Sequence, residues 1–124
     1  MSIAFDSQKY VSVETSSARI GVKNGKPFLI LVRLKPAHGI HINAVPPISV
    51  KSASATTAIS VRETHKKGDY LDTSMPIEVD CTVTGFDAGL HGISLVVAYT
   101  YCSEDEGWCR MGKDTLTVSV RVTK

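Results

Sequence analysis

Two cysteines separated by a short acidic segment are the residues of this chain best suited to chemistry. Cys102 ends an apolar run over residues 93–101, and Cys109 precedes a second strand-like run over residues 115–122. If the two runs pair as a hairpin, both cysteines lie near the mouth of its loop, where their sulfur atoms can approach bonding distance without distortion of the sheet. The pair is therefore either a redox centre at a loop tip or a structural disulfide.

Charges near the two cysteines favour a slow redox pair over a hydrolytic nucleophile. Glu104, Asp105 and Glu106 disfavour a thiolate nearby because like charges repel, whereas Arg110 and Lys113 favour it. A pair that reacts slowly alone and needs a partner suits a carrier of electrons. As a structural disulfide, the same bond would close a small ring and stabilise the fold by roughly 2–3 kcal/mol.

Other uses of cysteine and histidine find weaker support in the sequence. Cys-x6-Cys is not a usual zinc spacing, and no CxxC or HxxxH pair accompanies it, so we expect no metal and no cofactor. The sequence also has no motif for the oxyanion hole that a Cys/His acyl-transfer site requires. Trp108 lies inside the cysteine loop and Tyr101 precedes Cys102, and we expect both aromatic residues to line the site.

The totals indicate one domain, residues 1–124, that is long enough to bury its own core. With a net charge of +2, 6% aromatic residues and no stripe of Lys or Arg, the chain lacks the features of a nucleic-acid-binding protein. Its longest apolar run, residues 27–32, is far too short to span a bilayer, so we expect no membrane insertion. Residues 1–10 lack the apolar region of a signal peptide, and we expect them to be disordered or foreign to the natural protein.

Alternation of apolar and polar residues dominates the chain and predicts an all-β protein. Alternating runs recur at regular spacing between turn signals such as Asn24-Gly25 and residues 85–92, and no window has a helical period. This pattern predicts an immunoglobulin-like β-sandwich of about seven to nine antiparallel strands. Residues 27–34 are apolar on both faces and should form a central strand. Cys81 lies on the apolar face of its strand, so we expect a buried free thiol there.

Of the four histidines, only His41 is placed by the pattern on a strand with a polar neighbour. Ile40 and Ile42 face the core, which puts His41 and Asn43 together on the opposite face. His41 is either a site residue or a structural histidine held by hydrogen bonds. The other three histidines, which we expect in surface turns, are His38, His65 and His91.

Several segments together resemble the disulfide-bond corrector family, which is the family of the N-terminal (alpha) domain of the thiol:disulfide interchange protein DsbD. The stretch Gly39-Ile40-His41-Ile42-Asn43-Ala44, followed by Pro46-Pro47, is similar to the family's G-W-H-I-N stretch. Val97-Ala98-Tyr99-Thr100-Tyr101-Cys102, followed by Cys109, is similar to its V-x-Y-x-x-C…C segment. Tyr70 resembles a tyrosine that the family carries ahead of its next strand. The similar segments span nearly the whole chain.

The resemblance implies an immunoglobulin-like domain in the periplasm whose cysteine pair relays electrons as a thiol:disulfide oxidoreductase. It implies that Cys109 forms the mixed disulfide with a client and that Cys102 resolves it. The strand that carries His41 and Asn43 corresponds to one that lines the family's active site. The implied partners are thioredoxin-like proteins or the transmembrane part of a DsbD-like reductase.

The resemblance also implies a flexible cap loop over the sulfur atoms, which by position falls within residues 64–70. The segment is polar, and Gly68 is a candidate hinge. The residues expected to form the cap are His65, Lys66, Lys67, Gly68, Asp69 and Tyr70. The competing hypothesis is a binding module of the same fold, without enzymatic activity, in which Cys102–Cys109 is a structural disulfide.

Overall fold

The computed structural model describes residues 10–16, 21–54 and 56–123, and these residues form an immunoglobulin-like β-sandwich. The predicted all-β fold class is thereby confirmed. Two sheets enclose an aliphatic core, as the alternating sequence requires. The strands among the described residues are β1 (Val11–Ser16), β2 (Gly21–Lys23), β3 (Phe28–Pro36), β4 (Ile40–Ile42), β5 (Ser49–Ser52), β6 (Thr57–Val61), β7 (Lys66–Lys67), β8 (Tyr70–Leu71), β9 (Ile77–Val83), β10 (Gly89–Ser103) and β11 (Trp108–Thr123).

The two main sheets differ in strand order, and the second sheet contains one parallel pair of strands. The first has the order β1-β3-β9-β6 and is antiparallel throughout. The second has the order β2-β11-β10, with β4 and β5 both paired to the far edge of β10. Because β2 pairs with β11 in parallel, the prediction of entirely antiparallel strands is wrong at this edge. The eleven strands also exceed the predicted number, because β7 and β8, of two residues each, lie in the segment predicted to be a loop and are too short to show a period.

The core consists of side chains that point inward on alternate residues. In β9, Ile77, Val79, Cys81 and Val83 are buried, whereas the residues between them are half-buried. Each aliphatic side chain of this size stabilises the fold by about 1.5–3 kcal/mol when it is buried. The predicted central position of residues 27–34 is confirmed, because β3 lies between β1 and β9.

A long hairpin of β10 and β11 carries the two candidate cysteines. Its register runs over fifteen residue pairs and ends with Ser103 opposite Trp108. Since β10 begins at Gly89, the turn predicted over residues 85–92 is shorter than expected, and His91 lies on a strand instead of in a turn. This extensive pairing fixes the position of the hairpin loop relative to the sheet.

The loop of this hairpin consists of residues 104–107 and is closed by Ser103. The Ser103 carbonyl accepts the N–H of Gly107 at 2.9 Å, and its Oγ accepts the N–H of Glu106 at 3.2 Å. Gly107 has a φ of 73°, in the left-handed region that favours glycine. The single glycine of the acidic segment is therefore what allows so short a return to Cys109.

The predicted cap loop is a small hairpin, β7–β8, and not an irregular loop. Its two-residue turn is Gly68-Asp69, and Gly68 has a φ of 67°, as a type II′ turn requires at its first central residue. Two backbone contacts join this hairpin to the segment that follows β4: a bridge between Asn43 and Tyr70, and an N–H···O bond of 3.1 Å from Ala44 to Asp69. The hairpin is thus attached to the same segment that carries Asn43.

Tyr10, the last residue of the segment expected to be disordered or foreign to the natural protein, packs against two aromatic rings. The Tyr10 ring lies 5.1 Å from the Trp108 ring and 5.9 Å from the Tyr101 ring, between ring centroids. Residues 1–9 lie outside the described residues. The N-terminal end of β1 is therefore packed against the end of the long hairpin that holds the cysteines.

Candidate functional site

Cys102 and Cys109 form a disulfide across the long hairpin, which confirms the predicted pair. Their sulfur atoms are 2.05 Å apart and their Cα atoms 4.0 Å apart. The register places the two residues directly opposite each other, so pairing of β10 with β11 brings the sulfur atoms together. Cys81 is a free thiol buried in the core, which confirms that it takes no part in the pair.

The two cysteine residues differ in their exposure to solvent. Cys102 is half-buried and pairs with His41 of β4 on one side, whereas Cys109 is exposed on β11. Cys102 is the more buried cysteine, as predicted. Thiolates attack disulfides in line with the sulfur–sulfur bond, and this bond runs broadly across the two strands. An attacking thiolate therefore approaches Cys109 from the β11 side, and approaches Cys102 from the side of β4 and the β7–β8 hairpin.

A surface cavity of about 570 Å³ has the disulfide in its wall. The rest of the wall comes from the segment after β4, from the β7–β8 hairpin and from the acidic loop. The segment expected to form the cap therefore lies beside the cysteines. The described residues that line the cavity are Asn43, Ala44, Val45, Lys66, Gly68, Asp69, Tyr70, Cys102, Ser103, Glu104, Gly107, Trp108 and Cys109.

Three side chains from distant parts of the sequence join the β7–β8 hairpin to the cysteine loop, and we call them the latch: His41, Tyr70 and Glu104. The rings of His41 and Tyr70 stack with their centroids 4.4 Å apart and their planes 15° apart. Glu104 Oε1 lies 3.1 Å from His41 Nε2 and accepts a long hydrogen bond of 3.5 Å from the Tyr70 hydroxyl. The latch holds the hairpin on the side from which Cys102 would be attacked.

Asn43 is in direct contact with the buried half of the disulfide. Its Oδ1 lies 3.3 Å from Cys102 Sγ. In the oxidised state this sulfur has no proton, so the contact is not a hydrogen bond donated by sulfur. After reduction, the Cys102 thiol can donate to Oδ1, or the amide can turn over and donate to a thiolate. Asn43 is therefore placed to stabilise Cys102 in either protonation state.

Trp108 is held rigidly next to Cys109 by contacts with charged and aromatic neighbours. Its Nε1–H donates to Glu106 Oε2 at 2.9 Å, and the Arg110 guanidinium carbon lies 4.2 Å from the centroid of its ring. The ring also packs edge-on against Tyr101, whose centroid is 5.8 Å away. This cation–π and aromatic packing fixes the backbone from which the Cys109 side chain projects.

Some predicted site residues lie away from the cavity. Tyr101, which we expected to line the site, lies behind the disulfide in the core and is 1% exposed. His41 and Lys67 line a second cavity of about 470 Å³, which also has Tyr70 in its wall. His65 is exposed and lies in neither cavity.

The buried contact between Tyr99 and Asp114 is a feature that sequence reasoning missed. The Tyr99 hydroxyl donates to Asp114 Oδ2 at 2.7 Å, and Asp114 is only 8% exposed. The Tyr99 ring lies on the backbone of Gly112, where a Cβ atom would come within 2.5 Å of it. The pattern Tyr-x12-Gly-x-Asp carries no local signal, because these residues meet only through the hairpin register.

Cys81 should be unreactive in the folded protein, and its contribution to the stability of the fold should fall at high pH. Burial raises the pKa of its thiol to about 11 from an ordinary value of 9.0. The unfolded thiol loses its proton first, so the contribution of Cys81 to stability falls as pH rises from about 9 to about 11. We expect a thiol reagent at pH 8 to modify one more cysteine in denaturant than in the folded, reduced protein. Equal counts in both conditions would contradict this burial.

Other kinds of site find no support in the part of the chain that the structure describes. No group of three or more His, Cys, Asp or Glu side chains in residues 10–16, 21–54 and 56–123 is arranged to hold a metal ion. Within the same ranges, no helix has the length and apolar character needed to cross a membrane. The disulfide itself is typical of proteins in oxidising compartments outside the cytosol.

Comparisons with known proteins give only distant similarities of structure. No protein-family profile matches the sequence, and no curated protein matches it. Among solved structures, the chain is similar to domains 4 and 5 of the S-layer protein SbsC, with a TM-score of 0.49, 17% identity and coverage of 91% of this chain and 51% of that one. This chain thus spans about half of that structure.

Two further structures are similar at comparable levels. The yeast GGA1 GAE domain–P21 structure gives a TM-score of 0.47 and 15% identity over 86% of this chain and 91% of that chain. The ZirS C-terminal domain gives a TM-score of 0.35 and 14% identity over 90% of this chain and 66% of that chain. At these levels the similarities carry no argument about function, and the assignment of the fold rests on the strand topology.

Proposed function

We propose that this domain exchanges electrons with a partner protein through the Cys102–Cys109 pair, as a thiol:disulfide oxidoreductase of the disulfide-bond corrector type. The observation that carries the proposal is the exposed half of the disulfide, Cys109, in the wall of an open cavity. Exposed disulfides tend to have higher reduction potentials and to be the labile, catalytic ones, whereas buried structural disulfides resist reduction. The resemblance of the sequence to the disulfide-bond corrector family supports the same activity.

The proposed reaction is a pair of thiol–disulfide exchanges. A partner thiolate attacks Cys109 Sγ in line with the sulfur–sulfur bond, the Cys102–Cys109 bond breaks, and a partner–Cys109 disulfide forms. Cys102 leaves as a thiolate and takes up a proton beside Asn43. A second partner thiolate then attacks the mixed disulfide, which releases Cys109 and leaves the partner oxidised. Two electrons and two protons pass to the domain, and the reverse steps reduce a client disulfide.

The contacts around the pair support different roles for the two cysteines. Cys109 is exposed and can reach a partner, whereas Cys102 is held between Asn43 and the latch and is better placed to resolve the mixed disulfide. The acidic loop keeps the reduced pair from reacting indiscriminately, because its carboxylates disfavour a thiolate. The sulfur atoms themselves carry the electrons, so the proposed reaction needs no cofactor.

An oxidising compartment suits this chemistry. We assign the domain to the periplasm, where disulfides form and where reductants must be delivered by dedicated proteins. The partners consistent with the family resemblance are thioredoxin-like proteins or the transmembrane part of a DsbD-like reductase. Because a thioredoxin-like protein presents an exposed cysteine, it can make the in-line approach to Cys109 from the β11 side.

A redox titration of the Cys81→Ala variant tests the proposal, because only Cys102 and Cys109 then contribute. We expect the pair to be half-reduced at a potential above about −300 mV, as for disulfides that exchange. The measurement is alkylation of the free thiols in dithiothreitol buffers of graded potential, followed by mass spectrometry of the intact protein. A midpoint well below that value would identify a structural disulfide and favour a binding module.

A further inference from the structure

We propose that a groove beside the disulfide is the docking surface for a cysteine-containing segment of the partner, and that this segment carries an apolar side chain and then an acidic one. The inference rests on the proposed function, because the disulfide is what fixes a cysteine in the occupant. The groove takes no part in the exchange of electrons itself. It adds the chemistry by which the domain would select its partner.

The groove lies on the outer face of the β10–β11 hairpin, on the side of the disulfide away from the hairpin loop. The rung below the Cys102–Cys109 pair consists of Thr100 opposite Met111, and the next rung consists of Ala98 opposite Lys113. The outer-facing side chains of one strand repeat every second residue, about 6.6–6.8 Å apart. The docking groove is a cavity of about 320 Å³ lined by Ser49, Lys51, Val96, Ala98, Met111, Gly112 and Lys113.

Two of the five large hydrophobic residues that are exposed in the described part of the chain lie beside the disulfide, whereas Leu90, which is 68% exposed, lies at the other end of the hairpin. Met111 is 78% exposed and Val45 is 72% exposed, the highest values among the large exposed hydrophobic residues that the structure describes. Met111 shares the outer face of β11 with Cys109, two residues away, and Val45 lines the cavity that contains the disulfide. Exposed apolar residues that cluster at a reactive group indicate a surface that a partner covers.

Charge determines what kind of segment fits the groove. Lys51 and Lys113 are exposed on its two sides, on β5 and β11, and the floor between them consists of Val96 and Ala98. An apolar side chain one rung from the disulfide lies beside Met111, because the methionine side chain adapts its shape to different surfaces. An acidic side chain at the next rung lies over Ala98 beside Lys113, and Lys51 lies one rung further on the other side of the groove. The complementary segment is therefore cysteine, an apolar residue two positions away, and Asp or Glu four positions away.

The test uses the Cys102→Ser, Cys81→Ala protein, in which Cys109 is the remaining cysteine, and synthetic peptides activated at their cysteine with 5-thio-2-nitrobenzoate. The Cys109 thiolate attacks the peptide sulfur, a Cys109–peptide disulfide forms, and 5-thio-2-nitrobenzoate leaves as a coloured thiolate. The peptides have the order Cys-Thr-Leu-Thr-Glu or its reverse, because the structure does not dictate the chain direction. Matched peptides carry Ser for Leu or Gln for Glu.

We expect at least one direction of the Leu/Glu peptide to react about tenfold faster than its Ser counterpart, since burial of one apolar side chain is worth about that factor. The same peptide should react about twofold to fivefold faster than its Gln counterpart, since an ion pair with exposed lysines is weak. Met111→Ser should remove the preference for Leu, and Lys113→Gln should reduce the preference for Glu. Each peptide rate is divided by the rate of the same variant with the small symmetrical disulfide of 5-thio-2-nitrobenzoate. Division by this rate removes any change in the reactivity of Cys109 itself.

Two outcomes would overturn the docking surface. Equal rates for all peptides would show that the groove does not select a segment, and the redox titration above would still decide the proposed function separately. A concentration-dependent disulfide-linked dimer of the Cys102→Ser protein, lost in the Met111→Ser variant, would show that a second copy of this chain occupies the groove.

Discussion

The Cys102→Ser variant should hold a thioredoxin-like partner as a stable mixed disulfide, and the Cys109→Ser variant should hold far less. In the first variant the exposed Cys109 remains able to attack, and no neighbouring thiol is left to resolve the product. In the second, the remaining thiol of Cys102 lies between Asn43 and the latch, which hinder a large partner. We expect at least tenfold more trapped complex with the first variant than with the second. The reason is that these neighbours keep the whole partner protein away from the Cys102 sulfur.

The measurement is non-reducing gel electrophoresis after incubation with a thioredoxin-like protein whose own resolving cysteine is replaced by serine and whose remaining cysteine is activated with 5-thio-2-nitrobenzoate. The thiolate of the variant attacks the partner sulfur, the mixed disulfide forms, and 5-thio-2-nitrobenzoate leaves. The Cys81→Ala substitution should be present in both variants, so that trapping through the buried thiol is excluded. Equal trapping, or more trapping by Cys102, would overturn the assignment of roles to the two cysteines. It would leave the redox activity itself untouched, because that depends on the potential of the pair.

The sandwich and the disulfide were predictable because both follow from local periodicity. Alternation in residues 77–83 and 93–101 marks the inner face of each strand. When a short loop joins two strands, the loop leaves them little choice of register as they pair. The positions of Cys102 and Cys109 relative to the loop then decide that they meet. Cys81 was predictable for the same reason, since its place in the alternation puts it in the core.

The latch was not predictable, because its members are far apart in the sequence. The sequence marks Glu104 only as one of three carboxylates near the cysteines, and nothing in the pattern indicates that it reaches His41 and Tyr70. The sequence predicts a loop where the β7–β8 hairpin forms, since strands of two residues show no alternation. Contacts of this kind depend on how separate elements are brought together at one end of the sandwich. They carry no signature in any single window of the chain.

The latch should protect Cys102 and leave Cys109 unaffected, so one substitution should affect only one of two proteins that carry Cys81→Ala and retain a single cysteine of the pair. In a Cys109→Ser background, Tyr70→Ala should raise the rate at which a small disulfide reagent modifies Cys102 by roughly threefold to tenfold. This range corresponds to the loss of one aromatic stacking contact, about 0.5–1.5 kcal/mol. In a Cys102→Ser background, the same substitution should leave the rate for Cys109 within about twofold, because an in-line approach to that sulfur comes from the β11 side.

Two controls make the result specific to the latch. Tyr70→Phe keeps the stack on His41 and removes only the 3.5 Å hydrogen bond to Glu104, so its effect on Cys102 should be small. His91→Ala removes a comparable histidine–aromatic contact, the 4.9 Å pair with Phe86, at the opposite end of the hairpin, and should change neither rate. If Tyr70→Ala left the reactivity of Cys102 unchanged, or raised that of both cysteines alike, the hairpin would not act as a selective shield. Both sulfur atoms would then be open to attack, and the different roles of the two cysteines would need another cause, such as the contact between Asn43 and Cys102.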